Sequence, residues 1–259
     1  MSATPPTAIA LTNQSLLAQV VAGVAATNAQ YSSLFRPGLR THPLLYWGDP
    51  TTAQVATFGV NPSAAEFTTG RWPQSCLTVA QLDNRLINYF NNPHVPPHRW
   101  FDGYENALNI LGHSYKRQNK RDTVHLDLSP RATKAMGTLN DTPLLRTLFL
   151  QMVSADLQWF LSALALCRNI RGAIMSGTVT NAYYFDKFLL SSLPPSHSLK
   201  LKARFGTGTG ATALYDLIGP TFKIPVFFCR RSPSDPADKG VLLASEIQRN
   251  LFQLKTAGF

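Results

Sequence analysis

Four times along this chain a short apolar run stops at a cluster of turn-forming residues. Residues 54–59 (QVATFG) meet Asn-Pro-Ser, and 123–128 (TVHLDL) meet Ser-Pro. Residues 172–176 meet a glycine, and 224–229 meet Arg-Arg-Ser-Pro-Ser-Asp. Runs this short, bounded by breakers, predict buried strands. Apolar residues at helical spacing predict helices over 15–30, 78–91, 102–116 and 143–168, from the Ser176-Gly177 turn to about Leu190, and over 237–254. Residues 1–10 read as loose, and 191–224, with the GTGTG run at 206–210, as irregular. Strands alternating with helices imply one α/β domain over 1–259, a three-layer α/β/α sandwich around a four-stranded, mainly parallel sheet. In such sheets ligands bind beyond the carboxyl ends of the strands. The chemistry is therefore sought at 59–63, 127–131, 176–178 and 231–234.

Composition narrows the partners. The chain has 24 Lys+Arg against 14 Asp+Glu, a formal charge of +10, which favours a polyanion and nucleic acid first. Cys76, Cys167 and Cys229 lie far apart with no CxxC pair, which fits a reducing cytoplasm and argues against a zinc ribbon or an iron–sulfur cluster. His94 and His98 share a proline-rich stretch that forbids the helix needed to put both rings on one face. No metal and no cofactor are expected. No run approaches the length of a membrane span, and no basic residue precedes Arg36 to open a signal peptide, so a cytoplasmic monomer is expected, acting on DNA and not at a membrane.

The strand ends carry a family pattern. FGVNPS (58–63) resembles the first motif of the uracil-DNA glycosylase superfamily in its Gly-x-Asn-Pro form. VHLDLSPRAT (124–133) is similar to the second-strand segment of the mismatch-specific thymine/uracil branch, AIMSGTVTNAYYF (173–185) to the third strand and its Gly-turn, and PVFFCRRSPSDPAD (225–238) to the last motif. The four follow in order over most of the chain. The resemblance implies an enzyme that flips a base out of DNA and hydrolyses its bond to deoxyribose, leaving an abasic site.

Such an enzyme extrudes the nucleotide into a pocket. It needs a positioned water and groups that hold the departing base. Asn61 can hold the water by its side-chain carbonyl, although an Asn before a Pro also makes an Asx-turn. Gly59, Val60, Pro62, Ser63 and Phe67 are read as the pocket around the base, with Phe67 or Trp72 stacking on it. Arg131, Lys134, Arg231, Ser232 and Ser234 are candidate DNA contacts, with Arg231 able to fill the vacated stack and the KRQNKR run (116–121) adding cations. Lys134 is the amine to check for covalent chemistry; a monofunctional enzyme is expected. Asp127 stands where the resembled family has Asn. An ionised Asp only accepts, so it favours the 4-amino group of a cytosine over the 4-oxo group of uracil. Ser63-Ala64-Ala65 replace the Tyr that uracil-restricted members set against the 5-position, leaving room there. A 5-substituted cytosine is thus the expected substrate. Such bases occur in bacteriophage DNA, which suggests antiviral defence. The competing readings are uracil or mismatch repair, a DNA-binding module on the same fold, and a nucleotide-binding enzyme supported by GTGTG alone.

Overall fold

The computed structural model describes residues 11–68, 70–92, 97–98, 100–116, 122–180, 183–206, 212–231 and 240–259. Its centre is a seven-stranded mixed sheet. The strands are β1 (Tyr46–Trp47), β2 (Val55–Gly59), β3 (Thr123–Asp127), β4 (Gly172–Ser176), β7 (Ser198–Phe205), β8 (Thr212–Ile218) and β9 (Lys223–Cys229), in the order β1-β3-β2-β4-β9-β8-β7. A two-stranded ribbon, β5 (Thr178–Thr180) with β6 (Tyr183–Tyr184), follows β4. The four strands expected from sequence are the run β3-β2-β4-β9, and each of its three pairings is parallel. β1 adds antiparallel at one edge, and the β7–β8 hairpin extends the other.

Helices cover both faces. α1 (Asn13–Thr27) opens with a capping box between Thr12 and Ser15, and α2 (Val79–Ile87) with one between Thr78 and Gln81. α3 (Trp100–Leu111) lies over β3, with Phe101 and Trp100 edge-on to His125. α4 (Met136–Asn140) leads into α5 (Pro143–Leu166), which is capped by Thr142 and starts on proline. α5 packs on the opposite face, where Phe160 meets Phe58 edge to face at 4.9 Å. α6 (Phe185–Ser192) follows β6, and α7 (Val241–Arg249) packs against α3 before α8 (Leu251–Thr256) closes the chain.

Several expectations need correction. The sheet is seven-stranded and mixed, not four-stranded, because 191–224 is not irregular but holds β7 and β8, and because Tyr46–Trp47 adds β1. In β7 Leu199, Ala203 and Phe205 are covered while Lys200, Lys202 and Arg204 are exposed, the alternation of a strand with one covered face; Leu201, beside a register shift, is exposed. The helix after β4 starts only at Phe185, because Gly177 (φ 87°) turns the chain into the ribbon first. The last helical stretch breaks at Asn250. α5, at 24 residues, is long and apolar enough to cross a membrane by length and composition, contrary to expectation; half of its apolar window is buried inside the molecule. Residues 1–10, most of KRQNKR and most of GTGTG lie outside the described residues.

Candidate active site at the strand ends

β2 comes first in sequence among the parallel strands; β3 joins it on one side and β4 on the other. The chain therefore reverses its order beside β2, and a crevice opens there beyond the strand ends. A cavity of about 300 Å³ occupies this place, at the small end for small-molecule sites. Its walls include residues 58–63 at the end of β2 and beyond it, Asp127 at the end of β3 and residues 176–178 at the end of β4 and beyond it.

Two of these loops are zipped together. Ser63 and Thr133 form a parallel bridge, Ala64 N donates to Thr133 O at 2.9 Å, and Thr133 N donates to Pro62 O at 3.2 Å. Asn61 sits in the seam. Its Nδ2 donates to Thr133 Oγ1 at 2.7 Å, to Pro62 O at 2.9 Å and to Arg131 O at 3.1 Å. Three acceptors fix which end of the amide is nitrogen, so the orientation follows from the network. The carbonyl Oδ1 has no protein partner among the described residues, and Asn61 is one of the residues of the cavity wall. A carboxylate here would face two carbonyl oxygens with nothing to donate. The position calls for an amide, whose nitrogen anchors the two loops.

The opposite wall is built by strand register. Thr57 pairs with His125, Gly59 with Asp127, and Trp47 with His125 from the other side. These side chains share one face. Asp127, only 3% exposed, accepts from Trp47 Nε1 at 3.0 Å through Oδ2, and its Oδ1 lies 3.4 Å from His125 Nε2. His125 Nδ1 lies 2.7 Å from Thr57 Oγ1, which is also hydrogen-bonded to the Tyr115 hydroxyl. Gly59 makes this convergence possible. A Cβ there would stand 2.3 Å from Asp127 Oδ1 and 2.5 Å from His125 Nε2.

Compared with protein-family models, with curated proteins and with solved structures, the chain matches none. The site therefore stands on its own geometry.

The structure brings Asn61, Asp127, Gly59, Val60, Pro62 and Ser63 around one cavity. Ser63 also caps a short 3-10 turn by accepting from Ala65 N. Phe67 is corrected: it is buried against Trp72 and His42, away from the cavity, and Trp72 is equally buried. Neither ring is free to stack on a base. The aromatic walls come instead from Trp47, Phe58, Trp100, Phe101 and Phe185. Only Trp100 among these is half-exposed, and it follows the proline-rich loop that marked the segment in the sequence. Glu66 was also missed. It is buried on the cavity wall, 3.3 Å from Arg71 and 3.2 Å from the Tyr89 hydroxyl. Burial raises its carboxyl above the usual range, while Arg71 pulls the other way.

Arg131 is corrected as a phosphate contact. It is 4% exposed, and all five of its N–H bonds have partners. Nε donates to Asp156 Oδ2 at 2.8 Å, one terminal nitrogen donates to Val24 O and Asn28 Oδ1, and the other to Thr27 Oγ1 and Asp156 Oδ1. Ser129 Oγ adds a donor to Asp156 Oδ2. The pair ties the β3 loop to α5 and α1 and so carries the Asn61 seam. Arg131→Ala strands a buried carboxylate and is expected to destabilise the fold by about 3–5 kcal/mol in urea titration. Lowered DNA affinity at unchanged stability would contradict this structural role.

Lys134 donates to Ser33 O at 2.9 Å, and so does its backbone nitrogen to Leu34 O, so it fastens the loop after β3. Arg231 is exposed, with no ion pair among the described residues. Beside it, Arg230 lies over the Tyr184 ring at 4.3 Å. Ser232 and Ser234 lie outside the described residues, as does His94. Among the described residues no cluster of His, Cys, Asp and Glu could hold a metal ion.

Proposed function

We propose that this protein is a DNA glycosylase of uracil-DNA glycosylase type that removes a 5-substituted cytosine and leaves an abasic site. The observation that carries the reading is Asn61: its nitrogen is spent on three acceptors, its carbonyl oxygen has no protein partner among the described residues, and the residue lines a cavity of about 300 Å³ beyond the parallel strand ends.

The chemistry follows from the groups present. As the N-glycosidic bond breaks, the base takes the bonding pair and the sugar becomes cationic. Asn61 Oδ1 accepts a hydrogen bond from a water and holds it against the sugar. An amide oxygen does not take the proton, so bond breaking leads and water attack follows; the water's proton goes to solvent as its oxygen bonds to C1′. Asp127 holds the base edge. Each carboxylate oxygen accepts more than one hydrogen bond, so the contacts with Trp47 and His125 leave capacity for the 4-amino group. A carboxylate beside a departing anion would oppose departure. Protonation of the base at N3 by solvent before the bond breaks removes the conflict: N3–H and the amino N–H face the two oxygens, the base leaves neutral, and the proton later lost by the attacking water returns one to solvent. Ser63 brings only a small side chain to the cavity wall, which supports space for a 5-substituent, whereas Ala64 and Ala65 are not on that wall; the charge of +10 supports DNA as the partner. The exposed Arg231 is the candidate to enter the vacated stack.

Duplexes carrying cytosine, 5-hydroxymethylcytosine, its glucosylated form, uracil or mismatched thymine test the reading when alkali cleavage of the product is scored. The expected result is strand breaks at a 5-substituted cytosine. Cleavage at uracil alone would reassign the protein to uracil repair, and retention of DNA without cleavage at any base would make it a binding module. Asp127→Asn, which adds a donor, is expected to shift preference toward uracil by about tenfold or more. An unchanged ratio would remove Asp127 from base recognition.

A further inference from the structure

Beneath the cavity lies a hydrogen-bonded chain whose direction is fixed from its far end. Thr57 Oγ1 is shared between the Tyr115 hydroxyl and His125 Nδ1. Tyr115 is 1% exposed, and the only hydrogen-bond partner of its hydroxyl among the described residues is Thr57 Oγ1. Burial pushes its phenol well above the ordinary value, so it keeps its proton. If Thr57 donated to Tyr115, that phenolic proton would be buried with nothing to accept it, a costly state. Tyr115 therefore donates to Thr57. The single Thr57 proton then goes to His125 Nδ1, and the imidazole carries its own proton on Nε2, which faces Asp127 Oδ1 at 3.4 Å.

We propose that His125 is a positioning residue that holds Asp127 as an ionised, acceptor-only carboxylate, and that this directed chain restricts the site to bases presenting an exocyclic amino group. The inference rests on the glycosylase reading above. Asp127 stands between two nitrogens: Trp47 Nε1 donates to Oδ2 at 3.0 Å, and His125 Nε2 faces Oδ1 at an ion-pair distance of 3.4 Å. Both groups turn N–H toward the carboxylate, fix its plane and leave its remaining lone pairs to accept. The reversed chain would turn the Nε2 lone pair toward Asp127 and require a proton on the carboxyl group. Asp127 would then be able to donate to a 4-oxo base. The Tyr115 phenol, which is not part of the cavity wall, thus helps decide which pyrimidine is accepted. Gly59 gives the two groups the room to meet.

Two measurements on the full chain test this. The first is the ¹⁵N spectrum of histidine-labelled wild-type protein near neutral pH, with the His125 signals assigned by their loss in His125→Phe. The Nε2–H tautomer is expected. The Nδ1–H tautomer overturns the chain whether or not the protein cleaves DNA. The second is the ratio of kcat/KM for paired oligonucleotides that differ only in a 4-amino or a 4-oxo base. His125→Phe is expected to lower that ratio roughly tenfold, and His125→Gln, which can donate, to restore part of it. Tyr115→Phe, one link farther from the cavity, should shift the ratio in the same direction. Equal losses on both bases, with the ratio unchanged, would leave His125 a packing residue and overturn the proposal. If wild-type protein cleaves neither base, the glycosylase reading fails, and the specificity role fails with it; the tautomer then decides the chain alone.

Discussion

Asn61→Ala is expected to lower kcat for base release by about 10²–10³-fold while DNA affinity changes little. The upper end is what loss of one aligned polar group in an active site typically removes. The substitution also deletes the anchor across the seam, since Nδ2 bonds Pro62 O, Arg131 O and Thr133 Oγ1. A drop in stability of about 1–3 kcal/mol should accompany it. Asn61→Asp separates the two effects poorly, because a carboxylate cannot donate to those carbonyls. Asn61→Ala assayed at saturating protein, with binding measured separately, isolates the chemical step. Full release in that variant would remove Asn61 from the mechanism.

Gly59→Ala should be nearly as damaging for a different reason. The added Cβ would lie 2.3 Å from Asp127 Oδ1 and 2.5 Å from His125 Nε2, far inside contact distance. Neither side chain can swing away at little cost. Both are almost fully buried, Asp127 is held by Trp47, and His125 by Thr57. The carboxylate or the strand must shift, and a displacement of about 1 Å at such a site costs about 10²-fold in rate. Overpacking adds about 1–3 kcal/mol of lost stability. The informative comparison is kcat/KM at a temperature where the variant remains folded; wild-type values there would show that Asp127 need not stay where β3 puts it.

The parallel centre of the fold was legible because buried parallel strands are short, apolar and cut by breakers, as 55–59 and 172–176 are. Asn61 and Asp127 were legible for the related reason that strand ends collect the site. The β7–β8 hairpin is not legible in the same way: Leu199 and Leu201 alternate with lysines, but the glycine-rich run between the two strands reads as a loop. Other parts were not available to one-dimensional reasoning. Arg131 follows a motif and looks like a phosphate ligand, yet its partner Asp156 lies 25 residues away in the middle of α5. Phe67 is six residues from Asn61 but turns into the core. His125 reads as one more residue of a strand; its meaning comes from Thr57 opposite it and from Tyr115 behind.

Mass spectrometry of the small molecules released from DNA addresses the enzymatic reading most directly. Wild-type protein is incubated with an oligonucleotide carrying one 5-substituted cytosine, without alkali. The expected products are the intact modified base, free in solution, and a strand that keeps every phosphodiester bond but lacks that base; Asn61→Ala should yield neither at a comparable rate. DNA that stays bound with its bases intact, or release that is the same in Asn61→Ala, would contradict base excision at this site.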